Sequence, residues 1–201
     1  MTTLFLDSSD KLFLGLLNSE NDWIGYNQTE LKKGASNIHK LLNDLLSEHQ
    51  IVLKDVKKLV HISGPGSYTG VRITEGLCQI FDWNDFEVFS FYHFDIPQIL
   101  GIEQGYWVSH AFKGEFYYMH WNGKEEQKSG LLKLSEYPKL TELGVPIFTH
   151  CRGEPFLTAE QTSDLMLKNP QKLFNRIISE KWRKPPFYYR KLEDEFKVTE
   201  K

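Results

Sequence analysis

The chain has 201 residues, a formal net charge of −3, and 40% hydrophobic and 14% aromatic residues. That suits one or two folded domains, and the acidic balance argues against a dedicated nucleic-acid binder. No apolar run reaches the roughly 20 residues that span a bilayer, Leu4-Phe5-Leu6-Asp7 meets charge too early for a secretory leader, and Cys78 and Cys151 form no CxxC pair, so a reduced, cytoplasmic setting without a disulfide framework is expected.

In chain order, Thr3–Asp7 and Lys11–Leu17 read as strands joined by the polar turn Ser8-Ser9-Asp10, and Asp22–Tyr26 as a third strand. Ile38, Leu41, Leu42, Leu45 and Leu46 recur at helical spacing, which predicts an amphipathic helix over Ser36–His49. A turn at Lys54–Val56 precedes a buried strand at Leu59–Ser63. Gly64-Pro65-Gly66-Ser67-Tyr68-Thr69-Gly70 then forms a tight loop, with Thr69 as the candidate N-cap of a helix carrying Val71, Ile73, Leu77, Ile80 and Phe81. Phe86–Phe91 reads as a strand and His93–Leu100 as a short helix.

Near Gly101 the pattern restarts. Gly105–Ala111 and Glu115–Trp121 alternate as strands around Lys113-Gly114, followed by a strand at Val145–His150. Helices are expected at Thr158–Lys168 and Gln171–Trp182, with Pro170 opening the second. The tail from Lys184 through Pro185-Pro186 cannot continue a helix. Two lobes with a related plan are implied, residues 1–102 and a smaller, abbreviated 103–201.

A strand, a glycine loop and a helix start in that order resemble a phosphate cradle. The glycines at 64, 66 and 70 follow neither the P-loop nor the dinucleotide pattern, so a structural turn and an anion site both stay open on the pattern alone. Ser67 lacks a nucleophile-elbow frame. The histidines at 39, 49, 61, 93, 110, 120 and 150 include no pair four apart, so no two would share a helical face as metal ligands.

Four segments together resemble the TsaB (YeaZ) family of tRNA threonylcarbamoyladenosine biosynthesis. Leu6-Asp7-Ser8-Ser9-Asp10 stands where the family has Ile-Asp-Thr-Ser-Thr. Gly64–Thr74 matches its Gly-Pro-Gly-Ser-Phe-Thr-Gly-Leu-Arg-Ile-Gly hallmark, with Tyr68, Val71 and Thr74 as the departures. His110-Ala111-Phe112-Lys113-Gly114-Glu115-Phe116-Tyr117 corresponds to its second hairpin, with His110 for the usual Asp, and Pro186-Phe187-Tyr188-Tyr189-Arg190 to its Pro-x-Tyr-Leu-Arg. Ala35 stands where many relatives have His.

The resemblance implies a two-lobed α/β fold of the actin-like ATPase (ASKHA, RNase H-like) superfamily and a subunit with no active site, metal or cofactor of its own. It implies the catalytic paralogue TsaD and the ATPase TsaE as partners, tRNA met only through that complex, ATP or ADP at the complex interface, and no membrane. The partner surface would use the first helix and the post-loop helix, through Ile38, Leu41, Leu42, Leu45, Thr69, Val71, Arg72 and Glu75. Asp7 is the candidate anion-facing carboxylate, against its ordinary reading as an Asx-turn residue. A homodimer of the isolated chain stays open, and the alternative function is a stand-alone nucleotide-binding enzyme with Gly64–Gly70 as its phosphate site. Four cations and four aromatics in Trp182–Lys191 suit either base stacking or a tail packed over the core.

Overall fold

Strands β1 (Thr2–Asp7) and β2 (Lys11–Leu17) are near-continuous apolar runs because both faces of each are covered. In the computed structural model, described for residues 1–30, 35–111, 114–123 and 126–189, they pair antiparallel with Phe5 opposite Gly15. β3 (Trp23–Glu30) extends the meander, and β4 (Val56–Ile62) and β5 (Glu87–Phe91) run parallel on the other side of β1, in the order β3-β2-β1-β4-β5. Parallel neighbours require crossovers. Helix α1 (Ile38–Glu48), after a 3₁₀ turn at Ala35–Asn37, supplies the first and α2 (Tyr68–Trp83) the second. Helix α3 (Asp95–Ile99) leads away from β5.

The second sheet repeats this plan. β6 (Gln104–His110), β7 (Glu115–Asn122) and β8 (Lys128–Lys133) form the meander, and β9 (Ile147–Thr149) and β10 (Glu160–Gln161) run parallel to β6, in the order β10-β9-β6-β7-β8. Its crossover elements are reduced. A five-residue helix α4 (Tyr137–Thr141) precedes β9, and a loop without a helix links β9 to β10. Helices α5 (Thr162–Lys168) and α6 (Pro170–Ser179) follow.

Period-two alternation sorts β1 between two cores. Leu4 and Leu6 face α1 and α2, together with Ile38, Leu45, Leu46, Cys78 and Phe81. Phe5 points the other way, into a core that includes Trp107 and Phe148 of the second sheet and Leu173, Phe174 and Ile177 of α6. The Phe5 and Phe174 rings meet edge to face at 5.5 Å, so the C-terminal helices seal the seam between the sheets.

Several elements differ from the sequence expectation. The third strand runs on to Glu30, and β8 and α4 carry too little periodicity to announce themselves. The helix expected from Thr158 starts at Thr162, because Glu160 and Gln161 pair with Phe148 and Thr149. The last helix ends at Ser179, and Lys181, at φ +52°, turns the chain. Thr69 is not the N-cap of α2. Ser67 is, accepting a hydrogen bond from the Gly70 N–H at 3.4 Å, because the helix begins at Tyr68 and Thr69 already lies inside it.

The segment after α6 is a strap. The Trp182 carbonyl accepts from the Ser90 N–H, and the Lys184 N–H donates to Ser90 Oγ at 2.6 Å. Lys184 Nζ binds both carboxylate oxygens of Asp95 at 2.7 and 2.8 Å. Phe187 packs among Tyr92, Phe94 and Tyr117, and Tyr188 lies on Tyr68. The aromatics offered for base stacking are thus engaged by the core, while Arg190 and Lys191 lie outside the described residues.

Candidate functional site

Two surfaces hold the residues that the sequence singled out. The first is the cleft where the Ser8–Asp10 turn, the glycine loop and the end of β9 converge. Asp7 closes an Asx turn, its Oδ1 accepting from the Ser9 N–H at 2.8 Å, while its Oδ2 lies 3.5 Å from His93 Nε2. Burial pushes its carboxyl up to about 6 against the Ser9 bonds that favour the charged form. Asp7 therefore holds the turn and also borders a cavity of about 30 Å³ shared with His93, His150 and Arg152.

The glycine loop braces the lobe. The Ser67 N–H donates to the Ser9 carbonyl at 2.6 Å, and the Gly64 carbonyl accepts from the His93 N–H at 3.1 Å. Gly64 sits at φ +100°, where a side chain is strained. Gly66 does not have positive φ. It is required because a Cβ there would lie 2.7 Å from the Ser9 carbonyl oxygen. Pro65 and Gly70 are buried behind it.

Sequence reasoning missed most of the cleft. The His93 and His150 rings stack at 4.4 Å, with Trp107 parallel to His150 at 5.3 Å. His93 Nε2 is 2.6 Å from Ser9 Oγ and its Nδ1 3.2 Å from Thr162 Oγ1, and burial holds this ring well below the usual histidine range. Cys151 lies beside His150 and Ser109. These residues come from five separate elements, so no spacing in the chain could announce them. His110, at the departure from the family hairpin, faces the Glu154 carbonyl at 3.0 Å and the Phe156 ring, and Phe112 and Lys113 lie outside the described residues. Among the described residues no group of three or more His, Cys, Asp or Glu is placed to hold a metal, and no helix is long and apolar enough to cross a membrane.

The second surface is the outer side of α1 and α2. Ile38, Leu45 and Val71 are buried within this chain, Ile38 in the lining of the groove between the helices. Leu41 and Leu42 are half-buried, Thr69 and Arg72 exposed and Glu75 intermediate. Arg72 lies over the Tyr68 ring at 4.6 Å. A groove of about 190 Å³ runs between the helices, lined by Leu42, Leu53, Leu77 and Ile80. Ile80, in its lining, is 50% exposed, and Trp83, at the C-terminal end of α2, is 80% exposed. The sequence placed Ile80 on the apolar face of its helix and gave no sign of Trp83.

Two sheets that each run as an antiparallel meander followed by two strands parallel to the first, facing each other across a cleft, define the two-lobed actin-like α/β fold. No protein-family model matches the chain. A Bacillus subtilis (strain 168) protein, the tRNA threonylcarbamoyladenosine biosynthesis protein TsaB, is 37% identical over 89 residues, which is 42% of this chain and 37% of that protein. The match thus spans little more than a third of the relative's length. Two Pseudomonas aeruginosa structures share the fold at 19% identity. One is an uncharacterized protein with similarity to peptidase YeaZ (TM-score 0.64; 94% of this chain, 99% of that one), the other YeaZ (TM-score 0.61; 90% and 94%). The chain is thus similar to TsaB over part of its sequence and to YeaZ structures in fold over most of its length.

Proposed function

We propose that this chain acts in tRNA threonylcarbamoyladenosine synthesis as a non-catalytic scaffold that binds and activates the transferase TsaD in the cytoplasm. TsaE would join the assembled pair, tRNA would be met through the complex, and ATP or ADP would sit at its interface. The carrying observation is the open apolar groove between α1 and α2, lined by the half-buried Leu42 and Leu77 and the exposed Leu53 and Ile80. Contiguous apolar side chains left half-covered on a surface mark a site for a partner.

The stand-alone nucleotide enzyme gains no support from the loop, whose Ser67 N–H and Gly64 carbonyl are used inside the chain. The test is a pull-down of TsaD by the wild type and by Leu42→Glu and Ile80→Glu, with circular dichroism on each. Folded variants that lose the partner support the reading. Folded variants that bind TsaD with wild-type affinity refute it, as does modification of tRNA by this chain alone.

A further inference from the structure

Cys151 follows β9, where its N–H donates to Thr149 Oγ1 at 3.0 Å and fixes the turn. Its sulfur lies 3.8 Å from His150 Nε2 and 3.3 Å from Ser109 Oγ. The Ser109 oxygen accepts from the Tyr189 hydroxyl. A hydroxyl carries one proton, so the Ser109 proton is left for the sulfur or for the His110 carbonyl at 3.4 Å. Imidazole and hydroxyl therefore converge on one sulfur, an arrangement that favours thiolate over thiol. Burial pushes the Cys151 thiol up, but His150 and Ser109 outweigh it and hold the thiol at about 7.

The sulfur is not sealed in. Cys151 is 8% exposed and lines a cavity of about 380 Å³ between the lobes, with Ser9, Gly66, His150, Arg152 and Tyr189 on its other walls. His150 lines the same cavity, and its buried Nδ1 has no partner among the described residues. Buried ring nitrogens are ordinarily satisfied, so this one is left for an arriving group. Cys78 is the internal contrast. It is fully covered among the aliphatic side chains behind α2, and burial pushes its thiol far up.

We propose that Cys151 is a reversible modification site that exchanges with small disulfides entering the cavity between the lobes. The Cys151 thiolate attacks one sulfur of the incoming disulfide RSSR. A Cys151–S–S–R bond forms as the old S–S bond breaks, and RS⁻ leaves to take up the proton that the cysteine gave up. No further oxidant is needed, and a second thiol reverses the step.

The test uses the folded full chain and the aromatic disulfide 5,5′-dithiobis(2-nitrobenzoate), following release of the coloured thiolate from pH 5.5 to 9. The wild type should release one equivalent, with a rate profile whose midpoint lies near 7. Cys151→Ser should lose that release and Cys78→Ser keep it. His150→Gln should move the midpoint above about 8, where an ordinary cysteine titrates. At pH 7 it should slow release about threefold, since a lower thiolate fraction is partly offset by a more nucleophilic thiolate. Should His150→Gln fail to fold by circular dichroism, Ser109→Ala gives the same comparison. No release from the folded chain, release from Cys78, or a profile with the midpoint of a free cysteine overturns the proposal.

Discussion

A single methyl group at Gly66 tests whether the glycine loop braces the fold. A Cβ there would lie 2.7 Å from the Ser9 carbonyl oxygen and 2.8 Å from the Ser9 Cα, closer than real Cβ contacts come. Ser9 has nowhere to retreat, because its N–H binds Asp7, its carbonyl accepts from Ser67 and its hydroxyl contacts His93. The loop must therefore move, giving up the Ser67 bond, worth about 1 kcal/mol. It also incurs the roughly 1–3 kcal/mol of an overpacked site. Gly66→Ala should destabilise by about 2–4 kcal/mol, and at roughly 2–4 °C per kcal/mol for a domain of this size its melting temperature should fall by about 5–15 °C. Gly76, mid-helix with open space around its Cβ position, is the control. Gly76→Ala should stabilise by about 0.5–1 kcal/mol by reducing the freedom of the unfolded chain. A Gly66→Ala protein melting within a degree or two of the wild type by calorimetry would refute the brace.

On the helix pair, Leu45→Glu should abolish the folded circular dichroism signal, since a buried carboxylate without a partner costs several kcal/mol. Leu42→Glu, half-buried at the groove, should melt within about 2 kcal/mol of the wild type. His61 is kept neutral by burial, its folded value near 3 against 6.5 for the ordinary group. A depressed folded value means stability is full above 6.5 and is lost as pH falls towards 3, at up to about 1.4 kcal/mol per unit. His61→Leu should remove that loss, so in urea titrations the variant should gain on the wild type by about 2 kcal/mol as pH falls from 7 to 5. Asp7 has the opposite sign, its folded value raised from 3.8 to about 6. Its contribution is full below about 4 and is lost as pH rises to 6, so Asp7→Asn should gain on the wild type by about 2–3 kcal/mol between pH 4 and 7. Equal shifts at both pH values would sink that assignment.

What the sequence made legible was local. Leu4, Leu6 and Phe5 announce a strand buried on both faces, and three glycines within seven residues announce a loop that no other residue can thread. The α1 stripe was legible as a helix but not as a surface, because five apolar positions do not reveal how many the chain itself will cover. Ile38 and Leu45 were taken inward by β1 and β2, while Leu42 was left at the groove. Thr69 failed as a cap for a related reason. Ser67 and Thr69 are equally good capping residues, and the choice was made by the Ser67 N–H bond to Ser9, whose residue lies 58 positions earlier. The cleft was least legible, since Ser9, His93, Ser109, His150 and Thr162 meet only after both sheets have closed on each other.

The repeated topology explains why one helical face is left open and the other is not. In the first lobe both crossovers are full helices, of 11 and 16 residues, and they cover the outer side of its sheet. In the second lobe the corresponding pieces are a five-residue helix and a loop, so little helix is available there. The seam between the sheets is instead covered by α5, α6 and the strap, and Phe5, Trp107 and Phe174 share one core as a result. Among the described residues the C-terminal segment is committed to the seam through Lys184 on Asp95 and Tyr189 on Ser109, and it meets α2 at its two ends, through Tyr188 on Tyr68 and Arg183 beside Asp82. The consequence can be measured. Lys184→Met leaves the Asp95 carboxylate buried without its cation, which costs about 3–5 kcal/mol where such a pair is well buried and less here, with the Lys184 side chain 28% exposed. It should loosen the strap, raising hydrogen exchange at Ser90 and Phe187 while leaving α1 and α2 unchanged. Exchange that rises in α1 and α2 to the same extent would mean that the strap and the helix pair form one cooperative unit, and the open face could then not be independent of the seam.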